Sequence, residues 1–230
     1  MIQGINKVGV VGLGVMGFDI AFLYAMRGCQ TFVYDAAKAA MDSLTGRSEQ
    51  TIERLKRRNR ISDGEIENVR NGLIAAAGLK ELARMDLVTE AVSENAKTKL
   101  AVYQALREAG FAGILTTNTS SLARATLLAG GVYDREKFAL THFFNPVLYT
   151  QMVEVVKGDM EATELRYRGF VPQRLRTRTR RNQRYIGLRF QQHSHVLRRH
   201  GASAGSMRSA HRRRRSSGER AAATSSFHQL

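Results

Sequence analysis

Two groups of residues in this chain have the types and spacing to do chemistry. The first is Gly12-Leu13-Gly14-Val15-Met16-Gly17, with Asp35 about 20 residues further on. The glycines stand between an apolar, β-rich run and a stretch of helical spacing. In that setting the first permits a tight turn, the second lets the backbone approach a pyrophosphate, and the third lets helix pack on strand. The free N–H groups and positive end of the helix then face phosphate oxygens. Asp35, at the end of the next expected strand, can accept hydrogen bonds from both hydroxyls of an adenine ribose. Its charge would repel a 2′-phosphate, so the pattern favours NAD over NADP. FAD proteins share the fingerprint, and the motif alone does not separate them. The second group centres on His142, at the expected C-terminal end of an apolar strand. That is where open α/β sheets bind ligands, and imidazole is the side chain suited to taking up a proton near neutral pH.

The elements that must position these groups follow from hydrophobic patterning. Lys7–Leu13 reads as a buried strand, Val15–Arg27 as a helix stopped by Gly28, and Thr31–Tyr34 as a second strand. A strand–helix–strand unit of this size implies a right-handed crossover and a parallel pair. Ala36–Arg60 and Asp63–Asn71 are charged and helix-favouring, and read as an inserted helical hairpin. Strands are then expected at Asp86–Ala91, Gly113–Thr117, Phe138–Phe144 and Met152–Val156, with a helix at Ala96–Glu108. Short apolar strands alternating with helices indicate an α/β fold, a Rossmann-type, doubly wound, mostly parallel sheet.

Three further segments, Val92–Lys99 (VSENAKTK), Thr116–Leu122 (TTNTSSL) and His142–Gly158 (HFFNPVLYTQMVEVVKG), follow the glycine fingerprint in that order. Together they closely resemble the L-3-hydroxyacyl-CoA dehydrogenase family over about residues 5–165. Related hydroxyacid and sugar-acid dehydrogenases share the Asn-Thr-Ser-Ser segment, while HFFNP points to the acyl-CoA branch. The resemblance implies NAD-dependent oxidation of a 3-hydroxyacyl-CoA to a 3-oxoacyl-CoA, in fatty-acid or butanoate metabolism. It makes His142 the base for the hydroxyl proton and Glu154, twelve residues on, the carboxylate that fixes its tautomer. It sets Ser120 near nicotinamide and substrate, Asn145 on the nicotinamide side, and Glu94 and Lys99 along the cofactor's ribose and phosphates. Thr51 and Arg58 fall roughly where the family meets the CoA moiety, and Lys56-Arg57-Arg58 could meet its phosphates or simply be solvated. The family continues with a further helix and strand and then a helical domain that dimerises and closes over substrate. None of that is legible after Arg166, so low activity of this chain alone is expected. Alternatives are a 3-hydroxyacid dehydrogenase acting on a non-CoA substrate, and a non-catalytic NAD- or nucleic-acid-binding protein.

Composition divides the chain in the same place. Residues 1–165 carry 19 Lys+Arg and 19 Asp+Glu, whereas residues 166–230 carry 17 Arg, no Lys and one acid, Glu219, so the net charge of +16 lies wholly in the second segment. Five of the six histidines lie there as well. The expected organisation is a domain over 1–165 and an Arg-rich tail over 166–230. The tail reads as an out-of-frame product, a disordered basic extension or a nucleic-acid-binding arm, with non-specific phosphate binding in any case. Cys29, the single cysteine, falls in an apolar stretch and reads as buried and inert. No metal site is expected. Met1–Lys7 has no basic leader, and no apolar run approaches the roughly 20 residues that span a bilayer, so a cytoplasmic protein without a membrane partner is expected.

Overall fold

The computed structural model describes residues 5–150, 153–156, 178–180 and 183–187, the last two segments by their backbone alone. A first strand, β1 (Lys7–Val11), runs into the glycine loop, and helix α1 (Val15–Met26) follows. Nine of its twelve residues are buried, which makes α1 a core helix and not an amphipathic surface one. Gly28 stops it with φ +87°, and β2 (Gln30–Tyr34) pairs parallel to β1. Cys29, between them, is buried as expected, and burial pushes its thiol pKa up.

The charged stretch after β2 forms α2 (Lys38–Asp42), α3 (Leu44–Lys56) and α4 (Asp63–Gly72). A capping box starts α4, with Ser62 and Glu65 satisfying each other's backbone N–H groups. Arg70 and Glu49 join α3 to α4 at 2.7 Å. The helical pair is also the crossover itself, since α4 leads into β3 (Leu73–Ala75), which pairs parallel to β2. Sequence patterning missed β3 and the short α5 (Leu79–Leu82) after it. The chain continues through β4 (Leu87–Glu90), α6 (Ala96–Glu108), β5 (Ile114–Thr117), α7 (Arg124–Leu127), β6 (Phe138–Phe143) and β7 (Val153–Val156). Asn95 caps α6 by accepting from the Thr98 N–H at 3.2 Å.

The sheet order is β3-β2-β1-β4-β5-β6-β7, parallel as far as β6 and antiparallel between β6 and β7. Two short strands, β8 (Arg178–Arg180) and β9 (Gln183–Gly187), extend it beyond β7 through antiparallel pairing. One core, built around α1, contains Ile20, Phe22, Ile52 and Val69, and the other contains Tyr103, Leu106, Leu82 and Phe138. A sheet covered on both faces explains why β4 reads as a continuous buried run without alternation. The order reverses between β1 and β4, which opens a crevice at their C-terminal ends. Because β1, β4, β5 and β6 are parallel, the glycine loop, Glu90, Asn118 and His142 all reach that one edge. The chain divides into two units, 1–192 and 193–230; the second, like most of the tail for which disorder was expected, lies outside the described residues.

Candidate active site

The glycine loop has the shape that a pyrophosphate cradle requires. Gly12 has φ +96°, and a Cβ there would sit 2.8 Å from the Ala91 backbone at the switch point. A Cβ on Gly17 would overlap the Gly12 carbonyl oxygen outright, so helix and strand pack with no room for a side chain. Gly14 faces open space, with nothing within 4 Å of a Cβ position. The backbone thus admits a ligand at the one glycine where approach matters. Asp35 closes the crevice from β2: its Oδ2 accepts from the Leu13 N–H at 2.7 Å and its Oδ1 from the Ala37 N–H at 2.8 Å. These bonds hold the carboxylate against the loop and leave lone pairs for ribose hydroxyls.

A residue that sequence reasoning missed backs this loop. Arg47 of α3 donates to the Leu13 carbonyl at 2.7 Å and lies over the Phe18 ring, 4.0 Å from its centroid. One stripe of α3 carries Arg47, Thr51 and Arg54 at helical spacing, and Arg58 follows in the turn just past the helix. Thr51 is buried, with the Arg54 guanidinium 3.4 Å from its hydroxyl. Asp19 faces the same stripe; burial raises its pKa, while Arg54 and Arg47 pull it back. Arg58 donates to the Tyr149 hydroxyl at 3.3 Å, which links the turn after α3 to the segment after β6.

Beneath the crevice lies a buried polar network. Lys99 and Glu90 are both 0% exposed, with Nζ 2.8 Å from Oε1. The other Glu90 oxygen accepts from the Thr117 hydroxyl at 2.6 Å and the Tyr103 hydroxyl at 2.9 Å. Lys99 also donates to the Asn118 carbonyl at 3.2 Å. A lysine on the first turn of a charged helix carries no sequence signal of burial, and Glu90 is hidden inside a strand-like run. Glu94 sits above them. Its Oε1 accepts from the Thr119 hydroxyl at 2.5 Å and from the Ser120 N–H, Ser121 N–H and Ser121 hydroxyl at 3.0 Å each, while Lys99 lies 3.5 Å from Oε2. Burial opposes its charge, but the bonds from Thr119, Ser121 and Ser120 outweigh it and lower the carboxyl pKa to about 2. The structure therefore brings Glu94, Lys99 and the Ser120 segment together. Ser120 itself is exposed at the end of β5.

His142 and Glu154 are directly opposed across the antiparallel β6–β7 pair, and Nδ1 lies 3.1 Å from Oε2. Each side chain is about one-third exposed, at 32% and 36%. With Nδ1 facing the carboxylate, Nε2 remains as the proton acceptor toward a ligand. Phe144 packs against the imidazole, with ring centroids 4.6 Å apart. Asn145 is exposed in the turn that follows. Among the described residues no three His, Cys, Asp or Glu side chains converge as metal ligands, and no helix is long and apolar enough to cross a membrane.

The family model for the 3-hydroxyacyl-CoA dehydrogenase NAD-binding domain matches residues 7–166. The chain belongs to this family. It is 33% identical over 166 residues to the 3-hydroxyadipyl-CoA dehydrogenase of Escherichia coli strain K12, covering 72% of this chain and 35% of that protein. Among solved structures it resembles the (S)-3-hydroxybutyryl-CoA dehydrogenase of Ralstonia eutropha, at 27% identity and TM-score 0.63, over 70% of this chain and 57% of that one. The 3-hydroxybutyryl-CoA dehydrogenase of E. coli K12 gives 31% identity and TM-score 0.63, over 73% and 35%. The chain thus carries the NAD-binding domain and spans from about a third to somewhat over half the length of these relatives.

Proposed function

We propose that this chain supplies the cofactor-binding and proton-transfer part of a dehydrogenase that oxidises an L-3-hydroxyacyl-CoA to the 3-oxoacyl-CoA. The observation that carries this reading is the His142–Glu154 pair at the sheet edge that also bears the glycine loop. Gly12, Gly14 and Gly17 would cradle the pyrophosphate and Asp35 would take the adenine ribose. Glu94, with Lys99 beneath, fixes the Thr119–Ser121 turn, and Ser120 and Asn145 would line the nicotinamide side. NAD held there would supply the acceptor for the hydride from C3 of the substrate. His142 takes the hydroxyl proton on Nε2, and the imidazolium that forms is stabilised by Glu154 through Nδ1–H. Arg58, exposed in the turn after α3, and Thr51, buried within α3, would lie toward the CoA moiety. The working enzyme acts in the cytoplasm, in fatty-acid or butanoate metabolism. It draws substrate closure and homodimerisation from the additional length its relatives carry.

The test is NADH formation, followed by absorbance, by residues 1–156 joined to the C-terminal portion of the R. eutropha relative. Turnover of 3-hydroxybutyryl-CoA, with free 3-hydroxybutyrate slower by orders of magnitude, is the expected result. Equal turnover of the free acid would replace the acyl-CoA reading with a hydroxyacid dehydrogenase. NAD binding without turnover of either would leave a non-catalytic binding domain.

A further inference from the structure

The β5 and β6 strands pair in register only as far as Thr117 opposite Leu140. Beyond that point the Thr141 hydroxyl still donates to the Thr117 carbonyl at 3.5 Å, and β6 runs on through His142 and Phe143 past the end of β5. An N–H in a strand points to one neighbour only, so a group directed toward β5 gains nothing from β7. The Phe143 N–H is such a group, and its acceptor is the Asn118 side-chain oxygen at 3.1 Å. An amide side chain thus replaces the missing strand next to His142. The Asn118 backbone is itself pinned on both sides of its Cα. Its N–H donates to the Glu90 carbonyl at 2.7 Å, and its own carbonyl accepts from Lys99. Lys99 in turn is locked on Glu90, and Glu90 on Tyr103, Thr117 and the Val92 N–H.

We propose that Asn118 is a positioning residue that holds the end of β6 so that His142 stays in hydrogen-bond reach of Glu154. The inference rests on the reading of His142 as the proton acceptor. Without the Asn118 acceptor, the β6 end loses its hold on the β5 side beyond Thr141, and the Phe143 N–H must find water or leave the sheet. Either movement tilts the imidazole away from the carboxylate that fixes its tautomer. Asp at this position keeps an oxygen at the same place, whereas Leu keeps only the volume.

The experiment is NMR on the full chain. In the wild type, the Phe143 amide should exchange with solvent roughly tenfold or more slowly than an unbonded amide, the factor that one ordinary hydrogen bond supplies. Nitrogen shifts of the His142 ring should report the Nδ1–H tautomer. Asn118→Asp should preserve that tautomer, and Asn118→Leu should lose it in favour of Nε2–H, with NAD binding showing that each variant is folded. Free exchange of the wild-type Phe143 amide overturns the proposal. So does an Asn118→Leu protein with the wild-type tautomer, or an Asn118→Asp protein that loses it. If Asn118→Leu does not fold, the wild-type exchange and the Asp variant still decide. None of these readouts needs turnover. An unaffected His142→Gln enzyme would therefore reject the base assignment while leaving the Asn118 result to stand by itself.

Discussion

Replacing Lys99 with methionine separates the buried network from an ordinary surface ion pair. Both partners are shut off from solvent, with Nζ and Oε1 2.8 Å apart. At an effective dielectric of about 20 their gross attraction is ~6 kcal/mol, and the desolvation of two ions, at several kcal/mol each, offsets most of it. The pair is therefore worth little against a well-packed neutral pair, yet breaking it on one side is expensive. Lys99→Met leaves the buried Glu90 carboxylate its hydrogen bonds from Tyr103, Thr117 and the Val92 N–H but no countercharge, and should cost about 3–5 kcal/mol. Against a domain stability of about 5–15 kcal/mol, that is a large share. At a few degrees per kcal/mol, the melting temperature should fall by on the order of 10 °C. Urea denaturation followed by circular dichroism reads the change directly, with an unchanged slope if only the native state is affected. The double variant Glu90→Gln/Lys99→Met should recover about 1–3 kcal/mol of the loss, as coupled neighbours do. A single variant within about 0.5 kcal/mol of wild type would show that the buried pair is no more than a surface contact, because that is the range of surface changes. A double variant no better than the single would refute the pairing.

Four further outcomes follow from the geometry. Gly14→Ala should fold as wild type, since nothing lies near the new methyl, but bind NAD at least roughly tenfold more weakly by calorimetry. Gly17→Ala should instead lose the folded loop itself, seen as a lower melting temperature, because its Cβ collides with the Gly12 carbonyl. Asp35→Ala should weaken NAD and reduce its preference over NADP in competing titrations; unchanged discrimination would argue against the ribose contact. Glu94 has a carboxyl pKa lowered in the folded state to about 2. Its contribution to stability is thus complete above the unfolded value near 4.5 and is lost as pH falls toward 2. Discounted for a side chain 38% exposed, that contribution is about 1–2 kcal/mol, and Glu94→Gln should flatten urea stability over this pH window by that amount.

Elements with a clear period were legible in the residues. β1, α1, β2, α6, β5 and β6 were expected at nearly their observed bounds, because each is either a short apolar run or a stretch of helical spacing. β3, α5 and α7 are three or four residues long, too short for any period to emerge, and tertiary pairing with β2 is what makes Leu73–Ala75 a strand. Ala36–Arg60 read as one helical stretch, yet the chain breaks between α2 and α3 at Ser43, whose hydroxyl donates to the Ala40 carbonyl. The His142–Glu154 pairing was named by family resemblance, and the register of two antiparallel strands supplies its physical cause. What stayed hidden were partners distant in sequence: Arg47 on the glycine loop, Glu90 under Lys99, and Asn118 on Phe143. Each is a polar residue of ordinary type whose importance comes only from what the fold sets beside it.

In the proposed reaction His142 would accept the hydroxyl proton and bound NAD would accept the hydride. Single-turnover NADH formation from 3-hydroxybutyryl-CoA, measured for the wild-type fusion and its His142→Gln variant at saturating NAD, tests it most directly. The expected result is a fall in the hydride-transfer rate of about 10²–10⁴ with NAD affinity unchanged, the usual contribution of a positioned base. A His142→Gln variant that transfers hydride at nearly the wild-type rate would contradict the claim.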